Sequence, residues 1–295
     1  MIFWAFSFIW YKVANESLRP ITIVFIRLVI SAVFLTTYLL LTRNFMKIST
    51  KDRKLFLMLA TFEPFLYFLG ESFGLTYVSA TACSVLISTI PVFATLGAWL
   101  IFSERLKKIN YAGIILSFIG VLVFILRRDG TFSFNILGVA LIMFAVLAAV
   151  GYNLTLSRLV GTYSPVYIVN VQNIIGGILF LPLFMIFDFK HFMATPLTFE
   201  MLIPVFKLAI FASCGAFILF AWSANRIGIT RAVVFTNFIP VFTAIFSFFI
   251  LDENLTIQNI IGMVIVISGL FLSQVNGRKK AVVPDEALII SGKTA

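Results

Sequence analysis

Charged residues are scarce in this 295-residue chain, in which Asp, Glu, Lys and Arg together make up 12%; a typical soluble domain has about 25%. Hydrophobic residues make up 61%, and the mean hydropathy is +1.08. Apolar surface on this scale, spread over the whole length, is more than one soluble core can bury. The composition therefore excludes a soluble globular protein and indicates a chain whose solvent is the lipid bilayer.

Groups that support crosslinking, metal binding or catalysis are equally few. Cys83 and Cys214 both fall inside hydrophobic runs, and the single histidine, His191, lies in an interval between runs. This set provides neither a disulfide framework nor the spacing of a metal site. The HExxH and phosphate-loop patterns are absent from the sequence. We therefore expect no enzyme activity, no cofactor and no metal, and energy drawn from a gradient.

Hydrophobic runs of about 17–25 residues, the length of a membrane-spanning helix, follow one another along the chain. Helices are expected because a backbone in lipid must satisfy its own hydrogen bonds, and the alternation of a membrane barrel is not visible. The intervals are too short for a soluble domain. The predicted fold is an all-α integral membrane protein with ten transmembrane helices at residues 1–15, 20–42, 54–74, 79–102, 109–126, 134–157, 164–187, 203–223, 230–251 and 257–275.

The basic residues indicate how these helices are oriented. Most of the 22 Lys and Arg residues fall on the side that holds the N-terminus, and positive residues collect on cytoplasmic loops. Both termini are therefore expected in the cytoplasm, with the chain in the cell (inner) membrane and no nucleic-acid partner. The first run is short for a bilayer and lacks the basic flank of a signal peptide. We interpret it as a true helix without its cytoplasmic turns.

The second half of the chain repeats the first. The block IPVFATLGAWLIFSERLKKINYAGIILSFIGVL, which starts at Ile90, aligns without a gap with IPVFTAIFSFFILDENLTIQNIIGMVIVISGLF, which starts at Ile239. Pro91 matches Pro240 at an offset of 149 residues, and nearer the start of each half the offset is 145. Each copy holds five spans, and an odd number reverses the direction of the next copy through the bilayer.

This reversal predicts two inverted five-helix repeats around a central cavity. Their expected limits are 1–126 and 134–275, followed by a cytoplasmic tail at 276–295. Paired inverted halves are typical of alternating-access carriers, whose substrate site lies near the midplane of the bilayer. The alternative is a duplicated scaffold without a pathway, which accounts less well for the buried charges and midspan prolines described below.

Particular stretches resemble a known family. The two blocks of the form PVF…E.L…G……G, and RPITIVFIRLVISAVFL after a first helix that contains FWAFSFIWYK, are similar to the EamA family of the drug/metabolite transporter superfamily. The similarity covers residues 1–275. It implies a basket of two inverted five-helix repeats around a central cavity, with the fifth and tenth helices at the periphery. It also implies export of small metabolites, amino acids or drugs.

Four charged residues lie inside predicted spans. Glu63 and Glu71 belong to the run FEPFLYFLGE on the third span, Lys12 to the first and Arg27 to the second. Charges at such depth are costly and are functional candidates by default. Lys12 and Arg27 match Glu71 in depth, so we expect one of them to pair with Glu71. Glu63 is then the less compensated acid, which suits proton binding during transport. The alternative is that all four charges form static pairs that hold helices one to three together.

Prolines interrupt three of the predicted helices. Pro91 and Pro240 stand near the middle of the fourth and ninth spans, and Pro64 follows Glu63 directly. Because proline lacks an N–H, each leaves a carbonyl four residues earlier without its helical bond. Broken helices at this depth are tolerated where they line a cavity. We expect gates or kinks at all three, with the polar neighbours Ser88 and Asn237 in the cavity wall, against the alternative of simple packing kinks.

The second half carries neutral polar groups where the first is charged. Gln172 is the repeat equivalent of Arg27, and Asn153 lies on the sixth span. Both are candidates for substrate contact, although such groups also bond neighbouring helices. An arrangement with charged and neutral ends suits an amino acid. The aromatic residues that lie near these positions and are candidates for the pocket wall are Trp10, Tyr67, Tyr152 and Trp222.

Two further features are interpreted as structural. Glu104 and Glu253, one in each repeat, are expected at helix ends beside short turns. Glycines that recur at a spacing of seven share one helix face and predict close-packed seams; they are Gly113 with Gly120, and Gly262 with Gly269.

A secondary transporter is therefore the expected function, with a small-molecule substrate and the lipid bilayer as partners. A channel is the alternative, although it would need a ring of charges or a carbonyl filter. The sequence leaves open whether the protein forms a homodimer, which substrate it carries and whether protons drive it.

Overall fold

The computed structural model describes residues 1–94, 108–125, 135–196 and 198–274, and these residues form helices, without a β-strand. In chain order the helices are α1 (Ile2–Asn15), α2 (Pro20–Leu41), α3 (Arg53–Tyr77), α4 (Ala80–Ala94), α5 (Lys108–Ile125), α6 (Ile136–Leu159), α7 (Pro165–Ala194), α8 (Phe199–Ile227), α9 (Arg231–Ile250) and α10 (Ile257–Gln274).

Eight of these helices are long and apolar enough to cross a bilayer within the described residues, and α1 and α4 are shorter. The predicted all-α fold with apolar helices of membrane-spanning length is thus confirmed for the described residues. The tail at 276–295 and Glu104 lie outside the described residues. Helix α7 continues to Ala194, so His191 lies in a helix rather than in an interval between helices as the sequence suggests.

Helix starts follow ordinary capping chemistry. The side chains of Ser79, Asn135 and Ser164 each accept a hydrogen bond from a backbone N–H in the first turn of α4, α6 and α7. Pro20 and Pro165 occupy the first turns of α2 and α7, where the missing N–H leaves no helical bond unmade. These residues fix where the helices that carry the buried polar groups begin.

Helices α5 and α10 pack against each other along the seam of glycines that the sequence predicts. A Cβ added at Gly113 would lie 2.2 Å from the Ser273 nitrogen, and one at Gly269 would lie 2.4 Å from the Ser117 nitrogen. Only glycine permits so close an approach of two backbones. The glycines therefore allow the backbones of α5 and α10 to pack in direct contact.

Hydrogen bonds at both ends of this seam are reciprocal. The side-chain amide of Asn110 donates to the Ser273 carbonyl at 2.7 Å, and that of Asn259 donates to the Phe124 carbonyl at 3.0 Å. Asn110 and Asn259 are related by the offset of 149 residues, and so are Phe124 and Ser273. Repeat-equivalent groups thus exchange equivalent bonds, and the two helices run antiparallel.

Replacing Gly113 by alanine is expected to lower the thermal unfolding midpoint of the purified protein, because the new methyl group would overlap backbone atoms of α10. Overpacking of this kind costs about 1–3 kcal/mol. Gly215→Ala is the matched control, since a Cβ there meets no atom closer than 3.5 Å. Equal midpoints for the two variants would contradict the seam.

The loop after α9 is tied to the start of α4. Glu253 accepts hydrogen bonds from the backbone nitrogens of Ala80 and Thr81, at 2.8 and 3.3 Å, and from Thr81 Oγ1 at 2.7 Å. A carboxylate at a helix N-terminus satisfies N–H groups that have no partner within the helix. Glu253 is therefore a helix-end charge, as the sequence predicts.

Candidate functional site

Helix α3 is broken where its first acid lies. The segment Thr61–Leu66 is π-helical, and Glu63 within it has extended backbone angles of φ −148° and ψ 120°. Pro64 follows, and the bond between the two is cis. The kink predicted at Pro64 is therefore present, and it directs a carboxylate away from the helical path in the middle of the bundle.

Helix α7 provides the space for this break. A Cβ added at Gly176 would lie 2.2 Å from Pro64 Cγ and 3.4 Å from Leu28 Cδ1, whereas one at Gly177 would meet no atom within 4 Å. The Pro64 ring therefore occupies the space that the Cβ of any residue other than glycine would need at position 176.

Helices α4 and α9 are interrupted at equivalent places. Helix α4 leaves the α-helical form in a two-residue turn that ends two residues ahead of Pro91. Helix α9 has a 3-10 turn, Phe235–Phe238, that ends two residues ahead of Pro240. The residues whose carbonyls these prolines release, Ile87 and Thr236, both line the same internal cavity. Both helices are thus interrupted just ahead of their prolines, and the interruptions border that cavity.

The cavity has a volume of about 60 Å³ and lies among α1, α2, α3, α4, α6, α8 and α9. Most of the residues that line it form pairs related by the repeat offsets of 145 and 149 residues. These pairs are Trp4 with Ala149, Ser7 with Tyr152, Phe8 with Asn153, Phe68 with Phe217, Glu71 with Phe220, Ile87 with Thr236, and Ile90 with Ile239. The two halves of the chain therefore contribute equivalent positions to one shared cavity.

The chemistry of the cavity is nevertheless one-sided. Its charged residues, Arg27, Glu63 and Glu71, all come from the first half of the chain, as does Tyr67. The position equivalent to Glu71 in the second half is Phe220. The first half therefore contributes charge, and the opposite wall is largely aromatic and apolar.

Glu71 and Arg27 have separate neutral partners. Tyr67 Oη donates to Glu71 Oε1 at 2.9 Å, and Arg27 Nε donates to Ser213 Oγ at 2.9 Å. The Arg27 guanidinium also lies over the Phe68 ring, 4.2 Å from its centroid. Within the described residues no carboxylate oxygen lies within 4.0 Å of Arg27. The expected direct pair is therefore not formed, because Ser213 and Phe68 hold the guanidinium.

Lys12 lies outside the cavity. Within the described residues Lys12 forms no ion pair, either with Glu71 or with another acid. Its depth along α1 matches that of Glu71, but it lies one turn beyond Phe8, the last residue of α1 in the cavity wall. The expectation that Lys12 pairs with Glu71 is therefore wrong.

Glu63 is the acid without a partner. Its side chain is 7% exposed, and in the part of the chain that the structure describes it makes no hydrogen bond and no ion pair. Tyr152 and Asn153 of α6 line the same cavity; the Tyr152 side chain interacts with that of Gln172, and Asn153 Oδ1 has no hydrogen-bond partner among the described residues. The cavity thus contains several polar groups with unused hydrogen-bonding capacity.

The remaining candidates divide into buried and exposed residues. Gln172 is fully buried, and its side-chain amide interacts with the Tyr152 hydroxyl. Asn237 is also fully buried, and among the described residues neither of its side-chain amide atoms has a hydrogen-bond partner. Ser88 donates to the Val85 carbonyl at 2.7 Å within its own helix. None of the three reaches the cavity wall.

Trp222 lies outside the bundle. It is 51% exposed, and Arg226 stacks over its ring at 5.7 Å. Trp10 stacks on Phe6 and does not line the cavity either. Neither lies in the cavity wall. Two of the expected aromatic residues, Tyr67 and Tyr152, do line it. Sequence reasoning missed the other aromatic residues of the wall: Trp4, Phe8, Phe68, Phe217 and Phe220.

The run GESFG at Gly70–Gly74 matches the G-x-S-x-G pattern of hydrolase nucleophile elbows, a match that the expectation of no catalytic motif overlooked. An elbow requires a sharp turn from a strand into a helix, whereas Ser72 lies inside α3 and donates to the Phe68 carbonyl. A Cβ at Gly70 would meet the Leu141 carbonyl at 2.6 Å. The two glycines therefore serve the packing of α3 against α6, and the serine is not set up as a nucleophile.

Comparison with known proteins adds to this geometry. A family model described as the EamA-like transporter family matches residues 1–126 and 136–274. An uncharacterized transporter of Archaeoglobus fulgidus is 29% identical over 280 residues, which are 92% of this chain and 94% of that protein. The uncharacterized transporter YcxC of Bacillus subtilis is 24% identical over 283 residues, which are 93% of this chain and 90% of that protein.

A solved structure described as "Crystal structure of protein" has the same fold. Its TM-score is 0.64 at 14% identity, and the alignment covers 93% of this chain and 97% of that one. The likeness concerns the fold alone. The family model, by contrast, spans nearly all of both halves, and the chain therefore belongs to the EamA-like transporter family, a family of membrane proteins.

Proposed function

We propose that this member of the family is a secondary transporter of small amino compounds, amino acids or their relatives, that works by alternating access. The observation that carries the proposal is the cavity itself. Equivalent positions from both halves line it, three broken helices border it, and it contains buried charges. Sites of carriers built from repeats have this placement at the repeat interface.

Ten transmembrane helices in two inverted repeats form part of this proposal. The antiparallel packing of α5 on α10 supports it, because the reciprocal bonds of Asn110 and Asn259 relate the halves by a two-fold operation. Cytoplasmic termini and a place in the cell (inner) membrane follow from the distribution of Lys and Arg. Export is the direction that the family resemblance implies.

The size of the cavity supports a moving carrier. Pockets for small organic ligands measure about 300–1,000 Å³, whereas this cavity of about 60 Å³ accommodates a few water molecules. A metabolite therefore needs a wider arrangement of the same walls. Breaks at Pro64, Pro91 and Pro240 provide helix segments that move relative to one another.

Coupling to protons is the energy source that the site favours. Glu63 and Glu71 are both buried, and Arg27 is the one cation among the described residues that line the cavity. A buried acid beyond the number of cations is stabilised by taking up a proton or a positively charged ligand.

Counterflow in proteoliposomes tests the proposal. Vesicles with purified protein are loaded with a millimolar unlabelled compound and diluted into its labelled form, over a panel of amino acids and the corresponding amines. A carrier gives a transient accumulation of label above equilibrium, because it exchanges one molecule for another. Equilibration without that overshoot would indicate a channel, and no entry of any compound above empty liposomes would contradict transport of this class.

A further inference from the structure

A groove on the outer surface of the bundle lies apart from the central cavity. It runs along one face of α2, where seven residues between Val29 and Leu41 line it, and Phe206 and Ile210 of α8 form its other wall. Its volume is about 530 Å³, and its walls are mostly apolar. Leu41, at the end of the groove, is 80% exposed. Because the helices that form it are of membrane-spanning length, the groove faces the hydrocarbon of the bilayer.

The length of the groove matches one leaflet of a bilayer. Helix α2 rises about 18 Å between Val29 and Leu41, at 1.5 Å per residue, and the hydrocarbon of one leaflet is about 15 Å thick. The groove occupies the half of α2 that ends at Leu41. One acyl chain therefore fits along it from the midplane to the surface, and the head group of that lipid lies at the end of α2.

The end of α2 places an arginine at this point. The Arg43 nitrogen donates to the Leu40 carbonyl at 3.3 Å, and the Asn44 nitrogen donates to the Leu39 carbonyl at 3.1 Å, which is the pattern of a Schellman motif. Arg43 has the left-handed conformation of this motif, with φ 54°, a position where glycine is usual. The chain thus holds a guanidinium group only two residues beyond Leu41, the last residue of the groove.

Residues 42–54, which we call the basic stretch, carry a large excess of positive charge. Their one acid, Asp52, accepts a hydrogen bond from Tyr163 Oη at 2.7 Å. The five basic residues are all exposed, and within the described residues none of them forms an ion pair; they are Arg43, Lys47, Lys51, Arg53 and Lys54. Clusters of Lys and Arg directly beyond a spanning helix attract anionic lipid head groups.

The basic stretch is held in place by contacts with the start of α7. The Ser49 nitrogen donates to Tyr163 Oη at 3.0 Å, and the Ser164 nitrogen donates to Met46 Sδ at 3.5 Å. These contacts fix the backbone that carries the basic residues. Binding of an anion therefore costs less ordering of the chain than binding to a flexible loop would.

We propose that the groove between α2 and α8, together with the basic stretch, forms a binding site for an anionic glycerophospholipid of the adjoining leaflet. One acyl chain lies in the groove, and the phosphate lies at Arg43, whose planar guanidinium suits phosphate oxygens. A choline head group carries its own positive charge, so charge complementarity selects a lipid whose head group is anionic. This site is separate from the transport cavity and does not depend on the substrate.

Three compounds test the two parts of the site: dioleoyl phosphatidylglycerol, dioleoyl phosphatidylcholine and the free head group glycerophosphoglycerol. Binding to the delipidated, purified protein is measured by native mass spectrometry, which also gives the oligomeric state. Phosphatidylglycerol is expected to bind about 5- to 30-fold more tightly than phosphatidylcholine, the effect of one or two cations near an anionic head group. Glycerophosphoglycerol, which has no acyl chain, is expected to bind more weakly than either lipid.

Variants then locate the site. Arg43→Gln combined with Lys47→Gln is expected to weaken phosphatidylglycerol binding about 5- to 30-fold and to leave phosphatidylcholine binding unchanged. Val33→Trp, which fills the groove, is expected to weaken binding of both lipids. The matched controls are Lys190→Gln, at an exposed lysine away from the basic stretch, and Val264→Trp, at a valine of α10 that is 55% exposed against 62% for Val33. Size-exclusion elution and the unfolding midpoint without lipid establish that each variant is folded.

Several results would overturn the lipid site. It is wrong if the folded double variant binds phosphatidylglycerol like wild type, or if phosphatidylcholine binds as tightly as phosphatidylglycerol. Equal binding of glycerophosphoglycerol and the intact lipid would mean a site for a free anion instead. If Val33→Trp converts a dimer into a monomer and leaves lipid binding unchanged, the groove is an interface between two copies of the chain, and the lipid site falls.

Discussion

Replacement of Glu63 or Glu71 by glutamine is expected to reduce the initial rate of counterflow by at least about tenfold, the effect of losing one charge-assisted hydrogen bond. Both side chains are buried in the cavity wall, and glutamine keeps their shape while it removes the charge and the proton-binding site. Counterflow in proteoliposomes, at equal amounts of reconstituted protein, measures the effect.

The two variants are expected to differ in stability. Glu71 receives a hydrogen bond from Tyr67, so Glu71→Gln alters an existing hydrogen bond and removes one negative charge from the cavity that Arg27 also lines. Glu63 has no such partner in the described chain, so Glu63→Gln is expected to unfold at the wild-type temperature or above it. Glu200→Gln controls for loss of an acid elsewhere. Wild-type rates in both cavity variants would show that the acids are scaffold.

The positions of the helix breaks could be predicted from the sequence because their cause is local. Proline removes an N–H wherever it stands, and the breaks lie at Pro64, Pro91 and Pro240 as expected. The repeat also locates residues of the opposite cavity wall. With Glu71 assigned to the cavity, the offset of 149 residues leads directly to Phe220, which the structure indeed places in the wall.

Partners of the buried charges could not be predicted, because depth along a helix does not specify what lies beside it. Lys12, Arg27 and Glu71 have similar depths, yet Arg27 is held by Ser213 and Phe68 from two other helices. A serine in an apolar run carries no signal that distinguishes it from serines that bond their own helix. Sequence therefore identified which residues are costly to bury but not how that cost is offset.

Trp222 shows a second limit, which is the rotation of a helix about its axis. Successive residues turn by about 100°, so a residue two positions after Phe220 points nearly to the opposite side. The π-helical segment Leu208–Ala216 lies just before these residues, and a π-turn shifts the face that follows it relative to a regular α-helix. Periodicity alone gives no warning of such a shift.

Replacing Gly176 by alanine is expected to impair transport strongly and to lower the unfolding midpoint. The new Cβ would lie 2.2 Å from Pro64 Cγ, far inside van der Waals contact, so α7 or the break of α3 must move. Overpacking of a buried site costs about 1–3 kcal/mol, and displacement of Pro64 also displaces Glu63 beside it. Counterflow rate and thermal unfolding of the same preparation measure both effects.

Gly177→Ala is the matched control for this contact, because a Cβ there meets no atom within 4 Å. Alanine has a higher helix propensity than glycine, so the unfolding midpoint of Gly177→Ala should equal or exceed that of the wild type. The counterflow rate of this variant should be unchanged. The double variant Gly176→Ala with Pro64→Ala removes the ring that the new methyl group would strike. If the contact couples α7 to the break, the double variant is more stable than the sum of the two single effects predicts. Additive effects would mean that Gly176 acts elsewhere and that Pro64 does not transmit its displacement to Glu63.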